Sequence, residues 1–201
     1  KKRCWQQIIK QKIYNQSYVL KCIGKHDIER KLLSLIEKVD SGDSKNIEGQ
    51  AAKIYFESLF LKGFNRNYEN IYNSCLDYGY SILRGGIART ISQYGYIPCI
   101  GIHHKSELNN FNLADDFIEP FRPIVDLWTV QNVTLKDEFD AQIRTKLVDL
   151  LNYEMIIAGK RQSILNTIDV MITSFTTCVQ SKDYTKLLTP IIVPLERHIY
   201  G

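Results

Sequence analysis

Apolar residues recur every three or four positions along nearly the whole chain, with few alternating β-branched runs, and that period belongs to helices packed by one face. It predicts an all-α, multi-helix protein with helices over residues 2–22, 26–39, 45–62, 69–94, 113–130, 135–151 and 161–180. The punctuation between them is chemical. Asp40-Ser41-Gly42-Asp43-Ser44 gathers turn and capping residues ahead of the third helix, and Tyr94-Gly95-Tyr96-Ile97-Pro98 closes the long fourth one. Residues 153–159 read as a short extended excursion, and 188–195, with two prolines, as an irregular packed tail.

Several function classes fall away on composition. The chain of 201 residues supports one or two cores. No run of eighteen apolar residues exists to cross a bilayer, so a transmembrane protein is excluded. The start, Lys1-Lys2-Arg3-Cys4-Trp5, is neither a leader peptide nor a Met start, and a piece of a longer chain is expected. Five scattered cysteines without a paired motif suit a reduced, intracellular protein. Net charge is only +4, yet residues 1–31 hold nine Lys and Arg against Asp27 and Glu29. That opening segment suits phosphate contact, or equally a solvated helix face beside a domain join.

Candidate chemistry lies in the middle of the chain. Glu48 stands in line with Ala51, Ala52, Tyr55, Phe56 and Leu59 on one helix face. A carboxylate buried there needs a cation or a metal, whereas at a first helical turn it also suits the helix dipole and water. His103 and His104 follow a Gly-led connector, where imidazoles serve packing or ligation. Asp115, Asp116 and Glu119 come next, on a helix whose apolar face is Leu113, Phe117, Phe121, Ile124 and Trp128; periodicity predicts solvated acids, with a kink at Pro120. Were Glu48, His104 and Glu119 to converge, two carboxylates and an imidazole would suit Mg²⁺ or Mn²⁺. The fourth helix carries Gly79, Gly85 and Gly86, poor helix formers that imply close approach of another element, beside Asn73, Tyr78, Tyr80 and Arg84. Phosphate-binding Gly-Lys loops, dinucleotide fingerprints and serine-hydrolase elbows are all missing from the sequence.

Three ordered strings, Glu48–Phe56, Asn73–Leu83, and Gly101–His104 with Leu113–Pro123, resemble the helical domain of the CRISPR-associated spacer-acquisition integrase and endonuclease family. The likeness is strongest over residues 45–130, and the stretch 98–126 looks most like members from systems with a single-protein effector nuclease. It implies that residues 1–201 form one helical catalytic domain without the family's N-terminal β-rich domain. It implies Glu48, His104 and Glu119 as catalytic metal ligands for Mg²⁺ or Mn²⁺, with Asp116 as a further ligand or a support. Asn73, Tyr78, Arg84 and Arg122 become candidates for DNA contact or support of the site, Arg122 equally for pairing with a nearby acid. The implied reaction joins the 3′-hydroxyl ends of captured double-stranded DNA to a CRISPR repeat. The implied partners are that DNA, a second copy in a homodimer and a small adaptation-protein dimer, in prokaryotic cytoplasm and away from membranes. Two other readings fit the residues: a metal-dependent nuclease that cuts without joining, and a non-catalytic helical interaction module.

Overall fold

Helix α1 (Lys2–Cys22) organises the protein. Its inward face carries Trp5, Ile8, Ile9, Ile13, Val19 and Leu20, all almost without solvent contact, and the polar Lys12, Asn15 and Gln16 lie buried on the same helix. The computed structural model describes residues 1–60 and 63–200. After α1 come α2 (His26–Ile36), α3 (Ile47–Leu59), α4 (Ile71–Gln93), α5 (Asn112–Ile118), α6 (Arg122–Asn132) and α7 (Ala141–Asp149). Strands β1 (Tyr153–Ile157) and β2 (Lys160–Ser163) precede α8 (Ile164–Ser181), and β3 (Ile191–Arg197) follows it. The α5–α6 pair packs against both long helices, α1 on one side and α4 on the other.

The expected single helix over 113–130 is two. α5 stops at Ile118, and the chain bends through Pro120 before α6 begins with Pro123 in its first turn, where a missing N–H costs nothing. Close packing of α4 on α6 is enforced at Gly79, where a Cβ would stand 2.4 Å from Val125 Cγ1. Gly85 and Gly86 have no such neighbour; a Cβ would meet nothing within 4 Å at the first and only ordinary contacts at the second.

The all-α expectation needs correction at the C-terminal end. A three-stranded antiparallel sheet in the order β2-β1-β3 replaces the expected irregular tail over 188–195 and the start of the helix expected from residue 161. β2 has four residues, too few to show a period, and Ser163 at its end caps α8 by accepting the Asn166 N–H. Pro194 is tolerated because β3 is an edge strand whose register against β1 shifts between Tyr153 and Met155. Residues 135–140, also expected in a helix, form turns ending at Asp140, which caps α7 through the Ile143 N–H at 2.8 Å. The expected end of the third helix at residues 61 and 62 lies outside the described residues. No helix among those described is long and apolar enough to cross a membrane.

One buried side chain ties three distant segments together. Asn15 donates from Nδ2 to the Pro120 carbonyl at 2.7 Å and to the Pro190 carbonyl at 3.0 Å, and its Oδ1 accepts the Ile192 N–H at 3.3 Å.

Candidate metal centre

The loop before α3 fixes where Glu48 stands. Asp43 accepts the Ile47 and Glu48 backbone N–H groups at 2.9 Å each, and Asn46 caps the Gly49 N–H at 3.1 Å. The first turn is thereby pinned. Ile47, Ala51, Tyr55 and Leu59 take the buried face, and Glu48 borders it, partly exposed.

Glu48 meets Lys12 of α1, whose Nζ lies 2.6 Å from Glu48 Oε1 and 2.5 Å from Glu119 Oε2. Glu119, expected to be solvated, is 4% exposed, because the bend after α5 turns it inward beneath α1. Its other oxygen, Oε1, accepts from Arg122 Nε at 2.9 Å, and the Arg122 guanidinium lies over the Tyr80 ring, 4.7 Å from its centre. Glu119 Oε2 is buried, and the Lys12 ammonium is its close partner. Burial works against ionising Glu119, but the Lys12 and Arg122 charges outweigh it and hold the carboxyl below the usual glutamate value. Burial likewise opposes the Lys12 ammonium, and Glu119 and Glu48 overcome it, raising Lys12 above the ordinary lysine value.

His104 approaches from the connector between α4 and α5. Asp116, also expected to be solvated, is completely buried. Its Oδ2 accepts the Ile102 and His103 N–H groups at 2.5 and 3.1 Å; its Oδ1 accepts the His104 N–H at 3.1 Å and bonds His104 Nδ1 at 2.8 Å. That last bond is the main reason the imidazole holds its proton more tightly than an ordinary histidine, burial notwithstanding. The wrap needs Gly101, where a Cβ would fall 2.3 Å from the His104 carbonyl oxygen and 2.8 Å from Asp116 Oδ2. His103 stacks flat on Trp5 at 4.2 Å and His104 meets the same ring edge-on at 5.7 Å, so α1 also steadies this connector.

The structure thus brings Glu48 and Glu119 onto one cation. His104 is close enough for its charge to favour ionisation of Glu119, and its Nδ1 is taken by Asp116. Among the described residues, no three His, Cys, Asp or Glu side chains are gathered closely enough to hold a metal ion as they stand. The donor types nevertheless fit one: two carboxylates already converging on a single positive charge, and an imidazole beside them, match the hard oxygen-rich preference of Mg²⁺ or Mn²⁺.

The remaining candidates surround this cluster. Asn73 is buried, its Nδ2 donating to the Asn65 and Tyr68 carbonyls at 2.8 and 2.7 Å and its Oδ1 accepting from Arg66, so it shapes the loop ahead of α4. Tyr78 packs edge-on against Phe139 at 5.6 Å. Arg84 lies over Phe111 and within 3.9 Å of Asp115. A cavity of about 190 Å³ is lined by Arg66, Arg84 and Arg122 among others, and one of about 150 Å³, walled by Glu119 and Lys12, shares Arg66 and Arg122. Sequence reasoning missed Lys12 as a site residue, although it falls in phase with Trp5, Ile9 and Gln16 on α1. It also missed Asp126, completely buried on α6 and bonded by the Tyr55 hydroxyl at 2.9 Å and by the Tyr80 hydroxyl. Asp126 is seven residues beyond Glu119, on the far side of the bend at Pro120.

Comparison with known proteins places this geometry in context. The family model for CRISPR associated protein Cas1 matches residues 2–146. The CRISPR-associated endonuclease Cas1 of Neisseria meningitidis serogroup C (strain 8013) is 42% identical over 203 residues, covering 100% of this chain and 67% of the relative. The CRISPR-associated endonuclease Cas1 1 of Francisella tularensis subsp. novicida (strain U112) is 30% identical over 183 residues, 79% of this chain and 56% of the relative. The chain therefore spans between about half and two thirds of these two. A casposase bound to its integration product shares the fold with a TM-score of 0.72 at 22% identity, over 91% of this chain and 63% of the casposase. A chain of a partial Cas6-RT-Cas1–Cas2 complex does so at 0.74 and 18% identity, over 96% and 69%.

Proposed function

Because the chain belongs to the Cas1 family of CRISPR-associated proteins, we propose that it is the helical catalytic domain of a metal-dependent DNA integrase and endonuclease. Its reaction joins 3′-hydroxyl ends of captured foreign DNA to the CRISPR repeat during spacer acquisition. The observation that carries this reading is the convergence of Glu48 and Glu119, from α3 and from the bend after α5, on a single positive charge. Relatives named as endonucleases, and a fold shared with a casposase holding an integration product, support it.

Glu48, Glu119 and the outer ring nitrogen of His104 are the ligands for Mg²⁺ or Mn²⁺. Asp116 is a support rather than a ligand, since both its oxygens are committed to the 102–104 connector. When bound, the ion supplies Lewis-acid polarisation of the scissile phosphate and stabilises the charge that builds on it. The protein's own groups do the rest. Arg122 fixes the rotamer of Glu119, Asp116 fixes the ring of His104, and the buried wall of α1 keeps water from the inner side of the carboxylates. Arg66, Arg84 and Arg122, on the walls of two adjacent cavities, are placed to receive phosphate oxygens of double-stranded DNA. The working partners are that DNA, a second copy of the chain and a small adaptation protein of the kind named in the Cas1–Cas2 complex, in the prokaryotic cytoplasm.

A strand-transfer assay with a labelled duplex bearing free 3′ ends and a repeat-containing plasmid tests this. Branched products should form with Mn²⁺ or Mg²⁺ and fall more than about 100-fold in Glu48→Ala, His104→Ala and Glu119→Ala. Cutting without branched product would leave a nuclease. No metal-dependent cutting or joining, with Glu48→Ala indistinguishable from wild type, would leave a helical interaction module.

A further inference from the structure

We infer that the Lys12 ammonium is an internal stand-in for the divalent ion: it keeps Glu48 and Glu119 converged in the ion-free protein and gives up both carboxylates when an ion binds. The inference rests on the metal-centre reading above and goes beyond it by assigning a role to a residue outside the ligand set.

Lys12 leaves the middle of α1 on its buried side, among Ile8, Ile9, Ile13 and Gln16. A lysine there loses the hydration of its charge, and only ion pairing offsets that loss. Its two partners are also the two carboxylates assigned to the metal, at 2.6 and 2.5 Å. Both distances are those of direct contact, so an ion taking the same oxygens has to share or replace the ammonium. Sharing is electrostatically poor. Lys12, Arg122 and a divalent ion would set four positive charges against the two negative ones of Glu48 and Glu119 in a half-dry space. Arg122 holds the other oxygen of Glu119 through an aligned bond at 2.9 Å, so when the ammonium departs Glu119 keeps its orientation and the two oxygens that Lys12 held are released together to the ion. The cavity of about 150 Å³ bounded by Lys12, Glu119 and Arg66 gives the four-carbon stem of Lys12 room to turn without movement of α1. Lys12 is thus a positioning residue. It holds the ligands in shape before the ion arrives, and its removal frees them for the ion.

Two measurements on the 201-residue chain test this. In the first, Mg²⁺ is titrated into wild-type protein carrying ¹⁵N-lysine, and the side-chain ammonium resonances are followed, with Lys12 assigned by its loss in Lys12→Arg. The Lys12 resonance should shift or broaden in step with ion binding measured by calorimetry, while exposed lysines stay put. In the second, Mg²⁺ affinity is measured for Lys12→Gln, which should bind about tenfold more tightly than wild type or better, and should regain in Mg²⁺ the thermal stability it loses without it. An unmoved Lys12 resonance at saturation, or an affinity in Lys12→Gln equal to or weaker than wild type, overturns the inference. Should Lys12→Gln fail to fold, the wild-type titration decides alone. The two readings fail separately. Binding that Glu48→Gln abolishes but Lys12→Gln leaves unchanged removes only the role of Lys12, while wild-type protein that takes up no ion removes both.

Discussion

Two carboxylates, one in the bend after α5 and one on α6, line the same cavity, and their surroundings push them in opposite directions. Glu119 faces Lys12 and Arg122 and is held below its usual value despite burial. Asp126, equally buried, faces the hydroxyls of Tyr55 and Tyr80; burial dominates over those two bonds and lifts it to about 6. The difference is one of neighbours rather than depth. Cations make a buried acid available as a charged ligand, while phenols make it a cross-brace between α3, α4 and α6. An acid in the second setting has both oxygens committed to phenols, which is why the nearby Asp126 is left out of the proposed ligands.

The sharpest way to break this contrast is to remove the cation. Lys12→Ala should cost about 3 kcal/mol of stability in ion-free buffer, because it leaves Glu119 buried with half its counter-charge; urea unfolding at constant pH measures it. A loss well under 1 kcal/mol would mean that Glu119 is hydrated and the contrast false. Tyr55→Phe should cost about 1–2 kcal/mol by taking one donor from Asp126, and should move the Asp126 titration, followed by carboxyl ¹³C NMR, further up.

The pH dependence separates the two acids by sign. Asp126 holds its proton in the fold up to about 6, whereas the unfolded chain loses it near the ordinary value of about 4. Its contribution is therefore fully present below about 4 and is lost as pH rises through about 6. Glu119 does the reverse: its contribution is present above the ordinary glutamate value and lost as pH falls through its lowered folded value. Subtracting the stability of Asp126→Asn from that of wild type between pH 4 and 7 should give a declining curve, whereas the same subtraction with Glu119→Gln should be flat above the ordinary glutamate value and fall only as pH drops below it. Smallest of the expected effects, Asp116→Asn should bring the His104 titration back toward the ordinary histidine value, read from its ring proton shifts, because the bond that raises it is gone.

Much of this was legible in the sequence and the remainder has physical reasons for being hidden. The apolar period placed most of the helices, Pro120 announced the break between α5 and α6, and of the three glycines expected to admit a close neighbour only Gly79 does so. The family resemblance singles out Glu48, His104 and Glu119 as candidate ligands, and the structure brings Glu48 and Glu119 together on Lys12. Hidden were the depths of Asp116 and Glu119: a short helix ending in a bend does not keep one face outward, and the backbone N–H groups that bury Asp116 come from a different segment. Lys12 was visible as a charge inside an apolar stripe, but among nine basic residues in the first 31 it read as one more surface cation. The sheet was hidden because its strands are short and one contains a proline.

The three bonds of Asn15 reach from the opening helix to the bend that carries Glu119 and to the last strand. The final ten or so residues are for that reason a remote support of the bend that carries Glu119. An engineer who trims or fuses the chain near Pro190 would unfasten a peg whose other side is the Pro120 carbonyl, one residue from Glu119, and would loosen the site without touching any residue in it.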